Sequence, residues 1–171
     1  MIPKINKILY ATDLSKNSAY AFRYAVNSAE KHDAKIHILN VLEKLSPTAE
    51  SMVSGYISQE KLEAIRKENI EGLKDRIQKR LAEFCKRELL NKPECQELVA
   101  SIQVVEGDPA EEILQKADDL KADVVIMGTH GKGLLAHTFL GSVAEKVLHR
   151  IKIPVFIIPI PKETDISFRD I

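Results

Sequence analysis

The feature that most constrains the fold is a regular alternation of short apolar runs with longer helical patterns. The run ADVVIMG at 122–128 is almost wholly apolar, as expected for a parallel strand that helices cover on both faces. Further strand patterns occur at 7–12, 34–42, 98–107 and 154–160. Because helical patterns separate these runs, consecutive strands are expected to be parallel and joined by right-handed crossovers. The sequence therefore predicts an α/β fold, a doubly wound sheet of five parallel strands.

Helical patterns fill the intervals between the predicted strands. One helix is expected to begin near Ser15, a long one to cover 59–90, and the last to cover about 141–150. Asp108 and Pro109 have the residue types of a helix N-cap and a first helical position. The long helix is expected to turn one apolar stripe to the sheet, or alternatively to a partner protein. That stripe contains Leu62, Ile65, Leu73, Ile77, Leu81 and Phe84.

Composition limits the class of function. The 25 Lys and Arg residues balance 25 Asp and Glu residues, so no net field would draw the protein onto nucleic acid or anionic lipid. No apolar run approaches the roughly 20 residues of a membrane span, and the N-terminus lacks the apolar stretch of a signal peptide. We therefore expect a cytoplasmic protein with no membrane span and no nucleic acid partner. Cys85 and Cys95 have no zinc-finger spacing and are expected to be reduced, structural thiols.

A set of glycines between the fourth strand and the last helix indicates a phosphate site. Gly128, Gly131 and Gly141, with Ser142, follow the buried strand and precede the helix. In open parallel sheets, ligands bind beyond the carboxyl ends of the strands, which is where these residues fall. Glycine permits a positive φ and a close approach of the ligand, and the free N–H groups of a helix start favour an anion. The alternative interpretation is that these glycines only shape tight turns.

Other site types fit the sequence less well. The Walker A pattern GxxxxGK[ST] is not present from Gly128 to Gly133. Gly131, Gly133 and Ala136 imitate the dinucleotide pattern GxGxxA, but they follow a late strand and no acidic residue stands about 20 positions on. The histidines have no metal-ligand spacing, so no protein metal site is expected. Mg²⁺ could still arrive with ATP, held mainly by phosphate oxygens.

The glycine spacing G-x2-G-x9-G-[ST] is similar to the nucleotide motif of the universal stress protein family. The segments ATDLS, EGDPAEEIL, GTHGKG, LGSVAEKVL and IPVFIIP also resemble that family in order and position. The resemblance covers nearly the whole chain apart from a variable segment at 43–97, which holds a connection and the long helix. It implies an adenine nucleotide alpha hydrolase-like, Rossmann-like sheet of strand order 3-2-1-4-5. It also implies one domain over 1–171, with a flexible tail at 162–171.

The resemblance further implies which residues bind the nucleotide. Asp13 would lie near the base and ribose, Val41 would meet adenine through its backbone, and Gly128 would flank the ribose. The implied set is Thr12, Asp13, Val41, Gly128, His130, Gly131, Gly141, Ser142 and Val143. From the residues alone, Asp13 could instead cap the helix that begins near Ser15, and His130 could touch phosphate from within the glycine turn. No spacing assembles a catalytic set, so no catalytic residue is assigned.

The function expected from these observations is regulation through binding of ATP or AMP, with an unidentified protein partner. The resemblance implies a homodimer through the last strand, Val155 to Ile160, and an apolar edge strand gives that pairing a physical motive. One alternative is a slow ATPase or autophosphorylating enzyme, in which Ser142 or a water receives the γ-phosphate. Another is a nucleotide-free dimeric scaffold that docks through the long helix. Lys132 stands where many family members have arginine, which leaves the affinity open.

Overall fold

The computed structural model describes residues 2–43, 59–90, 93–129 and 140–159. The predicted site residues His130 and Gly131 lie outside these ranges, as do the tail at 162–171 and nearly all of the predicted connection at 43–57. The strands are β1 (Lys7–Ala11), β2 (Lys35–Glu43), β3 (Val99–Gly107), β4 (Val124–Gly128) and β5 (Val155–Ile158). The helices are α1 (Lys16–His32), α2 (Gln59–Glu88), α3 (Pro109–Leu120) and α4 (Ser142–Arg150), with a 3₁₀ helix at Pro93–Leu98.

The strands form one parallel sheet in the order β3-β2-β1-β4-β5. Ile8 of β1 lies opposite Ile36 of β2 on one side and Val124 of β4 on the other. β3 and β5 pair in parallel with β2 and β4 and form the two edges of this sheet. The predicted doubly wound fold and the strand order 3-2-1-4-5 are therefore confirmed. Each predicted strand agrees with the observed one within two residues at either end.

Two apolar cores lie on opposite faces of the sheet because side chains alternate along each strand. On one face, Ile8 and Tyr10 of β1 pack with α1 and α2, where the Tyr10 and Phe22 rings lie 5.4 Å apart. On the other face, Leu9 packs with α3 and α4. Side chains of β1 and β4 are buried on both faces, which explains why ADVVIMG reads as a continuous apolar run.

The long helix α2 packs on the sheet only along part of its length. Leu81 is buried, and Ile77 and Phe84 pack against the first core, whereas Leu73 is 39% exposed. The predicted stripe is therefore wrong at Leu73, and the side chains of Leu62 and Ile65 lie outside the described residues. The physical reason is length, since 30 helical residues span about 45 Å while the nine residues of β3 span about 30 Å. No helix in the described part of the chain is both long and apolar enough to cross a bilayer.

The start of α3 is closed by a side-chain cap, as the sequence predicts. The Asp108 carboxylate accepts hydrogen bonds from the N–H groups of Ala110 and Glu111, at 3.0 and 3.1 Å, and Pro109 follows the cap. The bond from the Glu111 N–H, together with the nearby Lys146 ammonium, lowers the pKa of Asp108. Stability from this cap is present above the unfolded-state pKa and is lost as pH falls through the lower folded-state pKa.

Replacement of this cap tests both its energy and its pH dependence. Asp108→Ala is expected to lower the free energy of unfolding by about 1 kcal/mol at neutral pH. Asp108→Asn should keep most of that stability because asparagine is a comparable cap. Urea unfolding from pH 7 towards acid should show the difference between wild type and Asp108→Ala shrinking as the carboxyl group becomes protonated. A difference that does not change with pH would contradict this account.

Candidate functional site

A cleft of about 740 Å³ opens at the carboxyl ends of β1, β2 and β4, next to the start of α4. It lies there because the loop after β1 leads to α1 on one face of the sheet and the loop after β4 leads to α4 on the other. In a doubly wound sheet, such diverging loops leave a crevice between them. Its lining includes most of the predicted set, namely Thr12, Asp13, Val41, Gly128, Gly141, Ser142 and Val143. His130 and Gly131 lie outside the described residues.

Thr12 anchors the turn that follows β1. Its N–H donates to the Leu39 carbonyl at 2.9 Å, and its carbonyl accepts from the Asn40 side-chain amide at 2.8 Å. Its hydroxyl oxygen accepts from the Leu14 N–H at 3.2 Å. These contacts fix the end of β1 to the end of β2. The residues after Thr12 are therefore held at the mouth of the cleft.

Asp13 shapes this turn and does not cap α1. Its Oδ1 accepts from the Ser15 N–H at 3.0 Å, and the N-cap of α1 is Ser15 itself, whose side chain makes no capping bond. The interpretation of Asp13 as the helix cap is therefore wrong. Leu14 between them has φ 62°, a left-handed conformation that costs a non-glycine residue about 1 kcal/mol. Such strain is held in place by the surrounding turn, and strained backbone of this kind is common at ligand sites.

Three buried polar atoms around this turn have no hydrogen-bond partner in the part of the chain that the structure describes. They are Asp13 Oδ2, Ser15 Oγ and Asn40 Oδ1. Buried polar groups are almost always paired, so an unpaired carboxylate oxygen beside a cleft requires a physical explanation. Because a carboxylate oxygen accepts hydrogen bonds, the missing group at Asp13 is a donor, such as a sugar hydroxyl or a water.

The start of α4 is open, in contrast to the start of α3. Gly141 is the N-cap residue, with φ −72° and ψ 155°, and no side chain of the described residues makes a capping bond there. The Gly141 N–H donates to the Thr129 carbonyl at 2.8 Å, so the amides that follow at Ser142 and Val143 form the free end of the helix. These amides and the positive end of the helix dipole favour an anion.

The described glycines of the site have ordinary backbone conformations. No glycine in the described residues has a positive φ, and the positive values occur at Leu14, Asp33 and Lys121. Gly128 and Gly141 therefore do not use the positive φ that glycine permits. At Gly141, the useful property is the absence of a side chain, since a larger residue in this extended conformation would project beside the open amides.

Charged side chains that line the described cleft are all acidic: Asp13, Glu43 and Glu145. The nearby cations are engaged elsewhere. Lys146 Nζ lies 3.5 Å from Asp108 Oδ2, and the Arg150 guanidinium binds both carboxylate oxygens of Glu111. These pairs join α4 to the beginning of α3. Anion binding by the described residues would therefore depend on backbone amides and not on cationic side chains.

Several lining residues were not predicted as part of the site. Asn40, Ile77 and Ile113 line the cleft from β2, α2 and α3. Asn40 is only 4% exposed, and its polar side chain at an otherwise apolar inward position of β2 is a signal present in the sequence. The sequence has no comparable signal for Ile77 or Ile113, because an isoleucine on the inner face of a helix is ordinary core.

Comparison with known proteins identifies the family. The model of the universal stress protein family matches residues 4–159. This chain belongs to the universal stress protein family. The universal stress protein MJ0531 of Methanocaldococcus jannaschii is 33% identical to it over 158 residues, 92% of this chain and 84% of the relative. The universal stress protein YxiE of Bacillus subtilis is 32% identical over 155 residues, 90% of this chain and 98% of the relative.

Solved structures of family members share the fold. The structure of MJ0577 from Methanocaldococcus jannaschii has a TM-score of 0.62 and 26% identity, and the match covers 94% of this chain and 100% of that one. A universal stress protein solved in complex with cAMP has a TM-score of 0.55 and 20% identity, and the match covers 92% and 98% of the two chains. The second comparison supports the fold alone.

The unpaired oxygen of Asp13 gives a stability prediction. Asp13→Asn retains an oxygen for the Ser15 N–H and replaces the unpaired buried carboxylate oxygen by a neutral amide group. We expect the nucleotide-free variant to be as stable as the wild type within about 1 kcal/mol, because an unpaired charge is costlier to bury than an unpaired amide. Asp13→Ala, which removes the turn bond, should be less stable than Asp13→Asn in urea unfolding. A loss above about 2 kcal/mol in Asp13→Asn would mean that Oδ2 has a partner in the free protein.

Proposed function

We propose that this universal stress protein binds ATP or AMP in the cleft and acts as a nucleotide-dependent regulator of the stress response. The observation that carries the proposal is the pairing of two features in one cleft. The first turn of α4 is uncapped, and Asp13 presents a buried oxygen without a partner in the described residues. The open amides of α4 suit a phosphate, and the unpaired oxygen of Asp13 suits a sugar hydroxyl. Together they have the chemistry of a nucleotide site.

The phosphates are assigned to the start of α4, at Gly141, Ser142 and Val143. The absence of a Cβ at Gly141 clears their approach, and the Ser142 hydroxyl adds a donor beside the amides. The family resemblance adds Gly131 to this end of the site, and the position of His130 within the glycine turn adds that side chain. The phosphate end therefore depends on backbone geometry more than on side-chain charge.

The ribose is assigned to Asp13 and Gly128, and the base to the end of β2 at Val41. All three residues line the same cleft. Thr12 contributes indirectly, since its three hydrogen bonds hold the turn that carries Asp13. Apolar side chains such as Leu39 and Met127 also line the cleft and would cover the faces of a purine.

The acidic lining favours a nucleotide that carries its own cation. No group of three or more metal-ligating side chains occurs within the described ranges. Mg²⁺ would accordingly be held mainly by the phosphate oxygens, and its charge would offset the carboxylates of Asp13, Glu43 and Glu145. Binding of ATP is expected to tighten when Mg²⁺ is added, whereas binding of AMP should change little.

The charged side chains that line the described cleft favour a regulatory role over catalysis. Phosphoryl transfer requires cations at the transferring group and a positioned base. Among the described lining residues the charged side chains are carboxylates, and Lys146 and Arg150 pair with residues of α3 and its cap.

Substitution of Gly141 tests the phosphate assignment without damage to the fold. Aspartate is a favoured N-cap residue, so Gly141→Asp should preserve α4 while its carboxylate occupies the free amides and repels phosphate. We expect calorimetric titration to show at least a tenfold weaker affinity for ATP in Gly141→Asp. Gly141→Asn, which caps without a charge, should show a smaller loss. Wild-type protein that fails to bind ATP or AMP at millimolar concentration would contradict the proposed function.

We further propose that two copies pair through β5 to form a homodimer. In the described sheet β5 pairs only with β4, so its outer edge carries free backbone groups, and Phe156 on it is 39% exposed. Phe156→Asp is expected to give monomers in sedimentation velocity. The matched control is Leu73→Asp, at a leucine of equal exposure on α2 at the far side of the sheet. If Leu73→Asp became monomeric, or if Phe156→Asp remained dimeric, the assignment of the dimer interface to β5 would be wrong.

A further inference from the structure

Ile77 connects the long helix α2 to the cleft. It is the α2 residue that lines the cleft in the described structure, and it is half-buried against the core between the sheet and α1. α2 contacts β3, whereas α4 packs over β4 and β5 at the other side of the sheet. Ile77 and the open start of α4 therefore lie at opposite ends of the cleft.

The part of α2 that follows Ile77 is firmly held. Leu81 is fully buried, and the Phe84 ring lies 5.3 Å from the Phe22 ring of α1. The Gln78 side chain donates to the Ile102 carbonyl of β3 at 3.2 Å, and the Glu88 carboxylate pairs with α1. This half of the helix has little freedom to move relative to the sheet.

The part of α2 that precedes Ile77 is held much less. None of residues 70–76 is buried, and Gly72 has open space around it. Because α2 joins the parallel strands β2 and β3, it runs against their direction, and its earlier residues lie towards the carboxyl edge of the sheet, where Ile77 lines the cleft. The 18 residues from Gln59 to Arg76 span about 27 Å. Ile77 thus lies where the helix leaves the core.

We propose that Ile77 forms the wall against which the nucleotide base packs, and that a bound base thereby restrains the part of α2 that precedes Ile77. This inference rests on the proposed function. If the phosphates bind at α4 and the ribose binds at Asp13, the base extends towards β2 and β3, where Ile77 lies. Base contact would add apolar packing at Ile77, directly after the stretch 70–76 in which no described residue is buried. Nucleotide occupancy would then change the surface that α2 presents.

Truncation of Ile77, with a matched control on the same helix, tests this inference. Ile77→Ala should bind ATP about tenfold more weakly in calorimetry, since the base loses one wall. Leu73→Ala, one turn earlier on the same face but 39% exposed and not among the residues that line the cleft, should bind like the wild type. Ile77→Leu preserves volume and should remain within about threefold of wild type, which separates lost contact from a folding defect.

Hydrogen exchange of the full-length protein provides the second readout. ATP at saturation should slow exchange of the backbone amides of residues 70–80 in wild type and in Leu73→Ala, but not in Ile77→Ala. Ribose 5-phosphate, which has the phosphate and sugar without a base, should bind without this protection.

The possible failures are distinguishable. Wild type that binds neither ATP nor AMP would overturn the proposed function. Wild type that binds ATP, with Ile77→Ala equal to it in affinity and protection, would overturn only the role of Ile77. Protection of α2 by ribose 5-phosphate equal to that by ATP would also overturn it, because the base would not be its source.

Discussion

The parallel pairing of β1 with both β2 and β4 is the interaction on which the rest of the structure depends. It places β1 at the centre of the sheet, with side chains buried on both faces. The pairing with β2 continues one residue further, where the Thr12 N–H donates to the Leu39 carbonyl. That bond decides where the chain leaves the sheet, and hence where Asp13 lies. On the other side, β4 places Gly128 beside the same opening. Two neighbouring strands thus determine the position of the cleft.

Much of the fold could be predicted because its signals are local. The apolar run of β4 indicates a strand buried on both faces, and the Asp108–Pro109 pair indicates the start of a helix. The packing of α2 could not be predicted in the same way. An apolar position such as Leu73 continues the helical stripe, but whether it is buried depends on where the sheet ends beneath it. The length of α2 relative to β3 decides this, and that is a property of the assembled structure.

In the candidate site, too, some features have a local sequence signal and others depend on the assembled structure. The glycines and Ser142 indicate the proposed phosphate end from the sequence alone, because small residues before a helix start leave its amides open to an anion. The strain at Leu14 and the unpaired oxygen of Asp13 have no such signal, since both depend on the turn that Thr12 and Asn40 hold together. Glycine adopts left-handed backbone more readily than other residues, yet in this turn it is Leu14 that adopts it. A turn fixed by tertiary hydrogen bonds can impose a conformation that its residue types do not favour.

The helices α3 and α4 provide an internal comparison. Both follow parallel strands on the same face of the sheet and pack against each other. At α3, the Asp108 carboxylate occupies two amides of the first turn, and the helix gains stability from the cap. At α4, glycine stands in the capping position and has no side chain to occupy the amides. Stability alone would favour a side-chain cap at both helices. An anion bound at the start of α4 would supply the stability that the missing cap does not, which is the physical basis of the proposed phosphate site.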